Sequence, residues 1–399
     1  MSSKELNDIT AAALIDAQHT FLNGGGGEKG AENQTASTVK KYYDGKKKMP
    51  YVSAQAGRRM LRDTMIEETG WPSSEIKVLK LSAKGSTSKS GGEFNPVDFP
   101  EDDICGFMRT EPKPVKTKKA ANENEEEIED EDAVVVEEKT KEMIHVKGLQ
   151  RTSPLNMPMF RSLYATVNTD HAWNHPKIGT PNPFDTEFYS ATLECVMGLD
   201  YKRLGVFNNM GDKKELEEIK IPELLKAGKI QLVNNGNSDK LGEIYELTNA
   251  EQSRKERSGA VLNALVHLRG GSKKAGYGCD IAPKAIILSG MTCANMIYND
   301  VFEDDGKGPT INLNRLEEVL NDWSDRISTT LYIGMRLGYI QNEEEVKTWA
   351  KNKAVGINIV VGTPISVVKA FNEIYLSNGH AFTEEEDRIE TNESVTRQA

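Results

Sequence analysis

Three stretches of this chain set cations beside glycines or neutral donors, the residue types that hold phosphate. In "YVSAQAGRRMLRD", Tyr51 to Asp63, Ser53 is a good helix N-cap and three arginines follow within the first turns. Aligned peptide dipoles leave a helix N-terminus positive, so arginine is disfavoured there. Either the side chains reach into solvent, or an anion sits at that end. Ser53, Gln55 and free backbone N–H groups would supply neutral donors to such an anion, and arginine bidentate charge. Arg58 and Arg62 are four apart and share a face; Arg59 points elsewhere. The second stretch, "NGGGGEKGAENQ", begins at Asn23 and Gly24. It is either a flexible surface loop or a bare backbone that lets a polyanion approach. It lacks the GxxxxGK[ST] pattern of a nucleotide loop. The third, "RGGSKKAGYG", carries Gly270, Gly271, Ser272, Lys273 and Lys274. It reads as a glycine C-cap with lysines suited to the dipole, or as a basic cradle. Three such clusters without a nucleotide motif point to a long nucleic-acid backbone rather than one small phosphate.

Other chemistry is poorly supported. His171 and His175 are spaced HxxxH but lack the glutamate of a zinc protease motif and adjoin Pro176, which favours a loop. Cys105, Cys195, Cys279 and Cys293 form no CxxC pair and suit reduced thiols. No Ser/His/Asp or Cys/His set stands out. The expectation is no metal, no cofactor and no catalysis. The N-terminus lacks a basic, signal-like segment and no apolar run has membrane-spanning length, so a cytoplasmic protein without a membrane partner is expected.

The formal charge of −11 argues against nucleic acid only until its distribution is read. Ala121 to Glu142 holds eleven acids against two lysines, and Ala381 to Ala399 six acids against two arginines. The remainder of the chain is close to neutral, about +2, with local basic clusters.

These clusters need elements to position them. "DITAAALID", Asp8 to Asp16, reads as a first strand. A helix runs from Ser53, with Met60, Leu61, Thr64 and Met65 at helical spacing, and stops at Gly70 and Pro72. Ile76 to Leu81 and Asp103 to Arg109 are expected as short strands, with a disordered insertion from Pro112 to Glu142. Strand is expected in "VKGLQRTSPLNMPMFRSLYATV", then a loop over 168–185, then strand in "EFYSATLECVMGLD". A helix from Glu251 and a strand over Lys284 to Ser289 follow. Helices are expected over Leu313 to Leu337, Glu343 to Lys351 and Pro364 to Leu376. The order indicates an α+β sheet domain with large insertions.

"PYVSAQAGRRMLRDTM", "DDICGFMR", "RTSPLNMPMF", "EFYSATLECVMGLD" and "LRGGSKKAGYGCDIAPKAIIL" occur in this order. Together they resemble the backbone subunit of type I CRISPR surveillance (Cascade) complexes: the Cas-seven family of the RAMP superfamily, DevR-like branch, most like subtype I-B. The resemblance runs from about Leu6 to Phe302. It implies a modified RRM-like (ferredoxin-like) palm with helical fingers and a β-hairpin thumb. It also implies a non-catalytic scaffold that polymerises along CRISPR RNA, leaving bases free to pair with target DNA. The implied partners are CRISPR RNA, target DNA through the guide, further copies of the chain and other Cascade subunits.

Carried over by position, Ser53, Gln55, Arg58 and Arg59 would touch RNA phosphates. Asn23, Gly24 and Gly270 to Lys274 would line the same groove, and Arg62 would be left to solvent. The palm would start in 1–111, with fingers and thumb insertions in 143–250 and the palm resuming over 251–302. A helical region over 303–380 and an acidic tail over 381–399 would close the chain. The thumb falls between Arg151 and Glu187. Gly57 departs from the pattern, which has a bulky aromatic there. The competing reading is an endoribonuclease of the type III kind. Those relatives place an aspartate after the first strand, where this chain has Glu28 and Glu32, with Asp16 at the strand end.

Overall fold

A computed structural model describes residues 4–25, 36–74, 76–81, 87–109, 148–174, 179, 182–210, 214–233, 242–352 and 357–377; over 76–81 and 87–91 it describes backbone only. The acidic insertion, the acidic tail, His175, Glu28 and Glu32 lie outside these residues. The chain opens with strand β1 (Asp8–Thr20), the hairpin β2 (Lys41–Asp44) and β3 (Lys47–Val52), and helix α1 (Ala54–Thr69). Strands β4 (Ile76–Leu81) and β5 (Thr87–Gly92), helix α2 (Pro100–Cys105) and strands β6 (Phe107–Arg109) and β7 (Leu149–Arg151) come next. Strand β8 (Leu155–Asn156) precedes two long strands, β9 (Phe160–Asn174) and β10 (Asn182–Asp200). A small unit holds β11 (Val206–Met210), α3 (Ile221–Lys226), β12 (Ile230–Val233) and β13 (Gly242–Leu247). Helices α4 (Ala250–Val266) and α5 (Lys274–Tyr277) and strands β14 (Ala285–Met291), β15 (Phe302–Asp304) and β16 (Pro309–Ile311) follow. The chain continues through α6 (Leu313–Asp322), β17 (Leu331–Met335), α7 (Glu343–Lys351), β18 (Ile359–Gly362) and α8 (Pro364–Phe371).

A mixed sheet runs β18-β17-β14-β1-β10-β9-β3-β2, with β8 added beside β10. Every pair on this path is antiparallel except β17 with β18. Strand β1 lies at the centre and is buried on both faces, which is why it reads as an unbroken run of small and branched apolar residues. Ile9, Ala11, Ala13 and Ile15 pack with α1, α4 and α8 on one side. Ala12 and Leu14 pack on the other with Tyr298, Phe302, Leu316, Leu320 and Val346. The sheet is therefore covered on both faces across β1, β14 and β17. The unit around β11, β12 and β13 has its own core of Phe207, Leu216, Leu224 and Tyr245.

Several sequence expectations need correction. Asp103 to Arg109 is not one strand: Pro100 opens helix α2, whose first turn carries Glu101, Asp102 and Asp103, and Gly106 at φ 66° ends it. Within the stretch expected as a loop, residues 168–174 and 182–185 are strand. Thr169 pairs with Glu187, His171 with Asp185 and Trp173 with Pro183, so β9 and β10 form one long hairpin. Leu313 to Leu337 is not one helix; α6 ends at Asp322, and Leu331–Met335 joins β14 in the sheet. The run "LYIGM" is fully buried and rich in residues that fit a pleated surface, which overrides the helical spacing. The 303–380 region is thus part of the sheet as well as helical.

Helix α1 is delimited as its sequence indicates. The Ser53 hydroxyl accepts from the Ala56 N–H at 3.4 Å, and Gly70 closes the helix in the left-handed region at φ 67°. Gly57, Met60, Leu61, Thr64 and Met65 make the buried stripe. Gly57 has a steric reason: a Cβ there would lie 2.6 Å from the Phe160 ring, which is fully buried. The space beside Gly57 is filled by the Phe160 ring from β9.

Two predictions follow from this packing. Helix propensity alone gives Gly57→Ala a gain of about 1 kcal/mol. The Phe160 contact reverses the sign, and chemical denaturation should show a loss of about 1–3 kcal/mol. Burial, reinforced by Asp200 across the ladder, pushes the Asp8 carboxyl up to about 6, and burial does the same for Asp102. Both groups hold their proton more tightly folded than unfolded. Their contribution is greatest below the unfolded value near 4 and is lost as pH rises through about 6. Asp8→Asn should therefore raise the Tm at pH 7.5 by about 2 °C and leave it little changed at pH 4. An equal effect at both pH values would contradict the assignment.

Candidate nucleic-acid interface

The end of β1, the flank of α1 and the segment after α4 meet in one cleft of about 300 Å³. Thr64 stitches α1 to that segment: its hydroxyl donates to the Arg269 carbonyl and accepts from the Arg269 N–H, both at 3.2 Å. The Ser272 N–H donates to the Leu22 carbonyl at 3.0 Å. Between these two fastenings the backbone passes too close for side chains. A Cβ on Gly270 would lie 2.5 Å from Met60 Cγ, and one on Gly271 would lie 2.9 Å from Leu22 Cδ2. Their φ values of 150° and 106° also favour glycine.

Of the eleven residues expected at a phosphate groove, six line this cleft: Asn23, Arg59, Gly270, Gly271, Ser272 and Lys274. They arrive from three separate parts of the sequence. The Arg59 side chain is 81% exposed and forms an i,i+4 pair with Asp63 at 3.4 Å. Such an exposed pair is worth about 0.3–0.5 kcal/mol, little enough to yield to an incoming anion. Lys274 is exposed and makes no ion pair among the described residues. Arg269, Thr64, Asp63 and Glu67 also line the cleft and were not singled out from sequence. Arg269 is paired to Glu67 and Glu68, each at 2.6 Å. The lining therefore mixes cations with two carboxylates, and its net positive character rests on Lys274 and on how readily Arg59 is released from Asp63.

The other five expected residues lie elsewhere. Ser53 is used as the N-cap, and Gln55 is exposed beside it. The cleft runs along the flank of α1, not over its N-terminus, so the helix dipole does not build it. Gly24 bridges to Val39. Lys273 adopts φ 50°, donates to Thr186 Oγ1 at 3.1 Å and lies 5.2 Å from the centre of the Phe21 ring. Arg58 is half-buried on the far side of α1, where it donates to the Cys105 carbonyl at 2.5 Å.

Arg62, expected in solvent, is paired at 3.2 Å with Glu101, whose side chain is fully buried. Arg58 and Arg62 share a face, as their spacing requires, and that face docks on α2 rather than on a ligand. The missed signal was the sequence "PEDDIC": proline followed by three acids marks a helix start, and a helix start next to α1 offers partners to its arginines. Further along α2, Asp103 is buried between Arg151 and Arg257. Arg151 also reaches Glu215 at 2.6 Å, and the Gly205 N–H donates to Asp103 Oδ2 at 2.9 Å.

The three arginines of α1 should separate cleanly in urea unfolding. Arg62→Ala strands a buried carboxylate and should cost about 3 kcal/mol. Arg58→Ala should cost about 1–2 kcal/mol for its hydrogen bond to Cys105, and Arg59→Ala less than about 0.5 kcal/mol. Equal losses for all three would refute this division.

No protein-family model matches the chain, and no curated protein does. Among solved structures, a chain of a "CRISPR RNA-guided surveillance complex, pre-nicking" superposes with a TM-score of 0.51 at 9% identity, covering 92% of this chain and 99% of its own. A chain of a "CRISPR RNA-guided surveillance complex" gives a TM-score of 0.43 at 10% identity, covering 92% and 98%. At the first of these values the two proteins share a fold, and they share it over nearly the whole length of each chain.

Proposed function

We propose that this protein is a non-catalytic RNA-binding scaffold of a CRISPR RNA-guided surveillance complex, a backbone subunit of the type I kind repeated along one guide RNA. The observation that carries the reading is the convergence of Asn23, Arg59, Gly270, Gly271, Ser272 and Lys274 on one cleft, although about 250 positions separate the first from the last. Fold likeness to a chain of such a complex supports it.

The palm is read as RRM-like. Strands β14-β1-β10-β9 stand in that order and are antiparallel throughout; α1 lies in the connection from β1 to β9, and α4 in that from β10 to β14. This is the 4-1-3-2 order of a βαββαβ unit. An ordinary RRM stacks bases on the sheet face opposite its helices. Here that face is covered across β1, β14 and β17 by the layer containing α6 and α7. In this reading the guide runs along the α1 flank, gripped by its backbone, with its bases left to pair with target DNA. The β9–β10 hairpin serves as the thumb, and it carries exposed Tyr164 and Trp173. Other copies of the chain and other subunits of the complex are its protein partners.

Purification from cells carrying a matching repeat array should yield the protein with a processed guide RNA; recovery of nucleic-acid-free monomer would count against the reading. Arg59→Ala with Lys274→Ala should weaken RNA binding for every guide sequence and lower the salt slope by about 1.4, the value for two single-strand phosphate contacts. Arg58→Ala should leave that slope unchanged. Loss confined to particular sequences would contradict backbone gripping. The absence of catalysis is tested by incubating the assembled complex with complementary RNA and magnesium, where evenly spaced cuts would make the protein an endoribonuclease instead.

A further inference from the structure

Asn23 is the polar side chain in the cleft that the fold leaves unsatisfied. It is 6% exposed, and neither its Oδ1 nor its Nδ2 has a hydrogen-bond partner among the described residues. Its companions in the lining do not supply a partner: Leu22 and Met60 are apolar, Gly270 and Gly271 have no side chains, the Thr64 hydroxyl is engaged by the Arg269 backbone, Arg59 and Arg269 are paired to carboxylates, and Ser272 and Lys274 make no hydrogen bond to it. A buried amide left in this state weakens the fold by its full desolvation penalty, so its retention calls for a partner from outside the chain.

The two halves of the carboxamide constrain that partner. The Nδ2 group donates, and a phosphate oxygen would satisfy it. Oδ1 only accepts, and a phosphodiester at neutral pH has no proton to give. A group that donates and accepts at one locus is a hydroxyl. In a nucleic-acid strand held by its backbone, that hydroxyl is the ribose 2′-OH, which DNA lacks.

We infer that Asn23 is a specificity-determining residue whose carboxamide exchanges hydrogen bonds with a ribose 2′-hydroxyl, so that the cleft selects RNA over DNA of the same sequence. This rests on the RNA-binding reading above and adds to it the group by which the sugar is recognised.

The test uses the full chain and fluorescence anisotropy. The probes are two single-stranded RNAs of unrelated mixed sequence, the DNA equivalents, and the 2′-O-methyl forms, which keep the acceptor and lose the donor. Wild type should bind both RNAs more tightly than their DNA and 2′-O-methyl counterparts. Asn23→Leu, similar in volume but apolar, should weaken both RNAs about tenfold. Its affinity for DNA and for 2′-O-methyl RNA should not change. The same variant should raise the Tm, because the orphaned amide is gone; a residue needed only for structure would not improve stability while losing selectivity. Asn23→Ala should lose the same selectivity and guards against a poor fit of leucine. Equal weakening of RNA and DNA in both variants would overturn the inference, as would a loss confined to one of the two RNA sequences. If wild type binds RNA and DNA equally, the inference falls and the scaffold reading stands. If wild type binds none of the probes, both fall.

Discussion

The buried acids of α2 fix the geometry on which the cleft depends. Asp103 is held between Arg151 from β7 and Arg257 from α4, and Glu101 holds Arg62 from α1. One short helix thereby sets α1 and α4 relative to each other. The cleft is the space between α1 and the chain leaving α4, so its width follows from ion pairs buried on the other side of α1. Removing one partner from such a group leaves a charge uncompensated in the interior, which is far more costly than losing an exposed pair. The charges that face the cleft are of the opposite kind: Arg59 and Lys274 are exposed, and Arg59 can give up Asp63 without cost to the core.

Local rules made the boundaries of α1 legible. A serine N-cap, apolar spacing and a terminal glycine act within a few residues, and each is where the sequence indicates. The path of β1 was legible for a similar reason, since a strand buried on both faces has few alternatives. The partners of the arginines were not legible. Arg58 and Arg59 are adjacent in sequence, yet about 100° of helical rotation sends one to Cys105 and the other to solvent. Only the position of α2 decides which is which, and that is a tertiary fact.

The same limit explains the misread strands. In β17, apolar residues at helical spacing belong to the sheet because β14 is already in place to pair with them. In the β9–β10 hairpin, polar residues such as Asn168, Thr169 and Asp170 look like loop, yet their ladder hydrogen bonds need no apolar side chains. The two glycines of "RGGSKK" read correctly as a cluster of interest, but as a cap or cradle. Their role in letting two backbones pass depends on Met60 and Leu22, which no local pattern ties to them.

The pairing of β6 with β7 has a separate consequence. Arg109 and Leu149 are partners across that ladder, so the segment 110–147 leaves and re-enters the fold at adjacent points. A connection whose ends are already joined by hydrogen bonds imposes almost no length requirement, because closure entropy grows only slowly with loop length. This is where the chain can be lengthened, shortened or fitted with a foreign tag while the two ends of the connection stay fixed on the β6–β7 ladder.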